Sequence, residues 1–142
     1  MTLREPNALN VEKAGFGKVV MFIGDKAGEV PYTAYNAKKS YIEKNKDVLS
    51  GFNKAVNKGL KFVLENDSDV VAKAIIGFFP DTTLSDVTLI VDRYKKADVW
   101  KDSTVITAKE WDRMQDIMIN AGELKDKVKF DALIETEFFN EK

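Results

Sequence analysis

Much of the side-chain chemistry open to proteins is missing from this chain. It holds no histidine and no cysteine, which removes imidazole acid–base catalysis, thiolate nucleophiles, Cys/His zinc sites and disulfides together. Carboxylates, lysines, hydroxyls and aromatics remain. The acid pairs Asp25/Glu29, Asp67/Asp69 and Glu135/Glu137 invite a general acid–base reading, but turn and helix-cap roles explain each pair more simply. GFGK (Gly15 to Lys18) lacks the spacing of a phosphate loop, and its order is helix then strand, so it reads as a plain connecting turn. Lys38, Lys39, Lys44 and Lys46 cluster at a helix start among acids, with no interleaved aromatic platform for stacking bases, which marks a solvated face. One stretch stands apart. In PYTAYN (Pro31 to Asn36), polar-tipped Tyr32, Thr33, Tyr35 and Asn36 gather beside a proline, an arrangement suited to lining a cleft; an ordinary half-buried strand accounts for them equally well. No residue is assigned a catalytic role, no metal ligand set is visible, and no cofactor is expected.

The elements that would position that stretch follow from periodicity. The chain has 142 residues, 44% of them hydrophobic, enough apolar material for one compact domain. Its formal net charge of -1 provides no field to attract nucleic acid or an anionic membrane surface. Glu5 to Lys13 holds about two helical turns, with Pro6 tolerated in the first. KVVMFIG (Lys18 to Gly24) is an unbroken apolar, β-branched run between glycines and predicts a buried strand, with DKAGE turning after it. Pro31 then opens an extended YTAYNA. From Lys38 onward the pattern is helical. Val48, Leu49, Phe52, Ala55, Val56, Leu60, Val63 and Leu64 recur at three- and four-residue steps and predict one amphipathic helix over Asp47 to Glu65. Asn45 and Asn66 are placed to cap helix starts. Asp67 to Phe79 should form a helix ending at Pro80, Thr82 or Thr83 should open the next, and Thr107 with Glu110 forms a capping box before WDRMQDIMINAG, which Gly122 ends in a left-handed stop. A last short helix is expected over Phe130 to Glu137. The opening MTLREPNALN has no apolar core of a signal peptide, and no apolar run reaches the length needed to span a bilayer.

The ordered set EPNALNVEKAGFGKVVMFIGD, EVPYTAYNAKK, FFPDTTLSDVTLIVDRYKKADVW, TAKEWDRMQDIMINAGEL and ALIETEFFNEK resembles the second half of the substrate-binding proteins of ABC importers, in the group serving nitrate, alkanesulfonates and the pyrimidine precursor of thiamine. The likeness runs over nearly the whole chain and does not point to one ligand. It implies an α/β, helix-rich chain that is part of a type II periplasmic-binding-protein fold, in which two lobes joined by crossover strands hold a small molecule between them. On this chain, residues 1–28 would be the remnant of the second lobe, 29–37 the crossover or hinge strand, and 38–142 the C-terminal part of the first lobe.

The resemblance also implies residue roles. Glu5, just before Pro6 at a strand end, matches a cleft-facing position, and Tyr32 and Thr33 match crossover positions near the ligand; Pro31, Tyr35 and Asn36 fall in the hinge. A carboxylate such as Glu5 would suit a ligand bearing an amino or ring N–H donor better than an anion. The parent would work outside the cytoplasm, as a periplasmic protein or cell-surface lipoprotein, with an ABC permease as its partner and without nucleic-acid binding, membrane insertion or catalysis. The family pattern begins well before Met1, so the chain is expected to be a piece of a longer protein that binds ligand weakly alone and self-associates, as a homo-oligomer or by exchanging its N-terminal segment between chains. Two rivals remain: an enzyme of thiamine-pyrimidine synthesis sharing the fold, disfavoured by the lack of histidine and of a cysteine-rich motif, and a stand-alone helical interaction domain.

Overall fold

The computed structural model describes residues 1–139; residues 140–142, the end of the segment assigned to the first lobe, lie outside the described residues. Eight α-helices follow in order: α1 (Asn7–Lys13), α2 (Gly24–Ala27), α3 (Lys39–Lys44), α4 (Lys46–Glu65), α5 (Ser68–Ile75), α6 (Leu84–Lys96), α7 (Ala108–Asn120) and α8 (Phe130–Leu133), with a 3-10 turn at Ile76–Phe78. Among the described residues there is no strand. Helix richness is therefore as expected, while the sheet half of the α/β expectation finds no counterpart here. Among the described residues no helix is long and apolar enough to cross a membrane.

The chain divides into two compact units, Met1–Lys26 with Gly59–Asp102, and Ala27–Lys58 with Ser103–Lys142. In the first unit, Val71 and Ala72 of α5 and Val87 and Val91 of α6 form the buried centre, with Val63, Ile75, Ile76 and Trp100 packed around it. Each buried valine contributes roughly 1.5 kcal/mol or more of transfer free energy, so this helix pair is the anchor of the unit. Tyr94 and Trp100 meet edge-on beside it, with ring centroids 5.5 Å apart. α6 begins where the Thr83 hydroxyl accepts the Asp86 N–H, which settles the choice between Thr82 and Thr83. Asn66 does not cap the helix that follows it. Its Nδ2 donates back to the Phe62 carbonyl, which also accepts the Asn66 backbone N–H at the end of α4, and Asp67 occupies the N-cap position of α5.

The second unit is tied together by polar contacts more than by a core. Thr107 and Glu110 form the expected reciprocal capping box on α7, and Gly122 takes the expected left-handed conformation, φ 77°. From α4, Asn57 Oδ1 accepts the Thr104 N–H at 3.0 Å, Asn53 Oδ1 accepts the Thr104 hydroxyl at 2.6 Å, and Asn53 Nδ2 donates to the Phe138 carbonyl at 2.7 Å. Gln115 is fully buried, and its Oε1 accepts the Val128 N–H at 2.6 Å; Trp111 Nε1 donates to the Val128 carbonyl. Asn45 ends α3, with its side chain donating to the Tyr41 carbonyl. α8 is one turn, shorter than expected, because the backbone is extended from Ile134.

The clearest departure concerns KVVMFIG. Residues 18–22 are irregular, and α2 starts at Gly24. Val20 is 94% exposed, with Phe16, Met21 and Ile23 also exposed. A strand is stabilised by backbone pairing as well as by apolar side chains. Among the described residues the Val19 N–H is met by the Glu12 carboxylate at 2.8 Å, while the amides of Lys18, Val20 and Met21 make no backbone hydrogen bond. The composition of a buried strand is present without a neighbouring strand to realise it.

Candidate functional site

Residues 28–38 form an irregular ribbon between α2 and α3. It starts at Gly28, whose φ of 70° lies in the left-handed region that glycine enters without steric cost. Pro31 is half-buried, while Tyr32, Thr33, Ala34, Tyr35 and Asn36 are exposed. The Tyr35 ring meets Phe52 of α4 edge-on, centroids 4.8 Å apart. Asn36 Nδ2 donates to the Ala34 carbonyl at 3.1 Å, a local bond that tightens the end of the ribbon before α3. Tyr32 and Thr33 are thus neighbouring exposed hydroxyl-bearing residues on an irregular backbone, with Tyr32 92% exposed. They can donate to and accept from a polar ligand, and the tyrosine rings can supply flat apolar area. The absence of helix here is in keeping with Pro31, which excludes its predecessor from helical geometry, and with the β-forming Tyr-Thr pair.

Glu5 lies in the other unit and is engaged. Its side chain is 5% exposed, and Oε1 accepts from Arg93 Nη1 of α6 at 3.0 Å. Oε2 accepts the Leu9 N–H at 3.0 Å, within the first turn of α1. The Glu5 backbone N–H donates to the Tyr94 hydroxyl at 3.2 Å. Arg93 Nη2 also pairs with Glu12, so one guanidinium bridges two carboxylates and clamps α1 to α6. The Val19 backbone N–H, and then Arg93, hold the Glu12 carboxyl below its ordinary range. Burial acts to lower the Arg93 pKa, but hydrogen bonds to Glu12 and Glu5 outweigh it and raise the value. Alongside, Lys13 pairs with Asp86 at 2.8 Å and, with the Thr83 hydroxyl, keeps that carboxyl low. Arg93 escaped the sequence reading. Its position one turn from the end of a helix, among Asp92, Lys95 and Lys96, gives no hint of two partners more than eighty residues away.

The sequence-derived residues therefore separate into two groups. Pro31, Tyr32, Thr33, Tyr35 and Asn36 stand on one ribbon in the second unit, and Glu5 stands in a charge cluster in the first. Two shallow, open depressions lie on the surface of the first unit: one lined by Leu84, Ser85, Thr88, Leu89 and Asp92 of α6, one by Glu12 and Gly15 to Lys18. Neither includes a residue of the ribbon. Among the described residues no cluster of three or more His, Cys, Asp or Glu side chains could hold a metal ion.

No protein-family model matches the chain, and no solved structure matches it. Over 135 residues, 95% of the chain, it is 36% identical to the protein named "Putative binding protein YtlA" of Bacillus subtilis (strain 168). The match covers 40% of that relative, so the chain spans well under half of the length of the protein it is similar to.

Proposed function

We propose that the chain is the C-terminal part of a solute-binding protein, the binding component of an ABC importer, which holds a small molecule without transforming it. The observation that carries this reading is its similarity, over almost all its length, to a protein named as a binding protein. Support comes from the ribbon, whose exposed hydroxyls and aromatic faces are of the kind that grip a small polar ligand. The ligand class is a thiamine pyrimidine precursor, an alkanesulfonate or nitrate. Tyr32 and Thr33 are the contacts on the ribbon, with Pro31, Tyr35 and Asn36 as the hinge around them. Residues 1–28 belong to one lobe of the parent, 29–37 to the crossover and 38–142 to the other lobe. Glu5 enters the binding reaction only if a ligand N–H donor shares its carboxylate with Arg93. The parent acts outside the cytoplasm, in the periplasm or as a cell-surface lipoprotein, and delivers to a permease. The uncovered apolar run at 16–23 is the surface through which the isolated chain associates with itself.

The test is thermal unfolding of the protein from the full reading frame that carries residues 1–142, in the presence of nitrate, taurine or 4-amino-5-hydroxymethyl-2-methylpyrimidine. A ligand that binds only the native state adds about 2.7 kcal/mol at a hundredfold excess over Kd. One of the three should raise the midpoint, and Tyr32→Ala should abolish the rise while leaving the ligand-free midpoint in place. No shift with any of the three would overturn the ligand assignment, and a shift unaffected by Tyr32→Ala would overturn the role of the ribbon.

A further inference from the structure

We infer that Arg113 is the positioning residue of the ribbon, its guanidinium occupying the space that a side chain at Gly28 would need and fixing the point from which residues 29–36 depart. The inference rests on the reading of the ribbon as the ligand-facing segment, and it names the group that decides where Tyr32 and Thr33 stand.

The geometry at Gly28 is the starting observation. A Cβ built there would lie 1.8 Å from Arg113 Nη1 and 3.1 Å from its Cζ. The same Nη1 donates to the Ala27 carbonyl at 3.5 Å. Glycine is favoured at 28 because its φ of 70° disfavours any residue with a Cβ, and its bare face lets the guanidinium lie against the backbone. The far end of the ribbon is held separately, by the contact of Tyr35 with Phe52. Between these two points, Tyr32 to Ala34 are exposed. The ribbon meets Arg113 of α7 at one end and Phe52 of α4 at the other. Arg113 is itself exposed, so its removal should leave the helix and the rest of the unit in place while releasing the ribbon.

Chymotrypsin, which cleaves after tyrosine, reads the position of Tyr32 and Tyr35 directly in the 142-residue chain. Arg113→Met should raise the initial cleavage rate at these sites about threefold, the factor expected for one exposed hydrogen bond, with the thermal midpoint unchanged. Arg113→Lys should restore the slow rate, because an ammonium can still donate to the Ala27 carbonyl. Gly28→Ala should also speed cleavage, since the new methyl displaces the guanidinium. Adding Arg113→Met to Gly28→Ala should then add nothing further, the contact being already lost. Amide exchange should accelerate in residues 29–36 and not along α7. Unchanged cleavage in Arg113→Met, additive effects of the two substitutions, or accelerated exchange spread along α7 would each overturn the inference. No ligand enters this experiment, so its failure leaves the solute-binding reading standing, and a ligand screen that fails leaves the positioning role of Arg113 intact.

Discussion

Replacing Arg93 by methionine isolates the cluster that joins α1 to α6. The substitution keeps much of the aliphatic stem and removes the guanidinium, which is 22% exposed and bonded to Glu5 at 3.0 Å and to Glu12. Glu5 then keeps a 5% exposed carboxylate with one remaining donor, the Leu9 N–H. Removing one partner of a buried pair costs about 3–5 kcal/mol, because the other charge is left desolvated and unpaired. The surviving Leu9 bond and the partial exposure of the guanidinium place this case at the low end, about 3 kcal/mol. For a chain of this size such a loss lowers the thermal midpoint by roughly 10 °C. Circular dichroism melts and urea titrations measure both quantities. Glu5→Gln combined with Arg93→Met should recover at least about 1 kcal/mol of the loss, since the uncompensated charge is then gone. Should Arg93→Met melt within about 1 °C of the parent chain, or should the double substitution be no more stable than the single, the clamp would be ornamental and this reasoning would be refuted.

Further outcomes can be read with the same instruments. Glu12 is held low by the Val19 N–H and Arg93, and Asp86 by Lys13 and the Thr83 hydroxyl. A carboxyl depressed on folding contributes stability above its unfolded pKa of about 4, and that contribution is lost as pH falls through the depressed value. Midpoints should therefore fall on acidification below about pH 4.5, and Glu12→Gln and Asp86→Asn should each flatten that limb. Thr107→Ala removes the acceptor for the Glu110 N–H and should cost about 1 kcal/mol in urea titration. Val20→Lys places a charge in the exposed apolar run; it should reduce dye binding and self-association in light scattering while changing stability by less than about 0.5 kcal/mol.

Helix content was legible because helices are written in local terms. The amphipathic stripe of α4, the Thr107 capping box and the left-handed Gly122 each depend on residues within one or two turns, and each was found where the pattern placed it. Burial was less legible. Val48, Phe52 and Leu64 lie on the stripe of α4 and are exposed, because a stripe states which face can be buried and not whether anything covers it. The ribbon was legible as a break between helices, from Pro31 and its β-forming neighbours, but not as a segment in contact with Arg113, whose sequence context is an ordinary helix surface. Asn45 and Asn66 were read as caps of the helices that follow them, and their side chains instead close the helices that precede them; an asparagine between two helices can serve either end, and only the backbone geometry chooses.

By itself the sequence determined the longer amphipathic helices, the Thr107 capping box, the Gly122 stop and the exclusion of histidine and cysteine chemistry, since all of these rest on residue type and short-range spacing. Tertiary structure alone decided that Glu5 is tied up by Arg93, that Gly28 makes room for Arg113, and that the Lys18 to Phe22 run is irregular and mostly exposed. Those outcomes depend on which distant groups arrive within a few ångströms. A charge, a glycine or an apolar run carries no local mark of its partner.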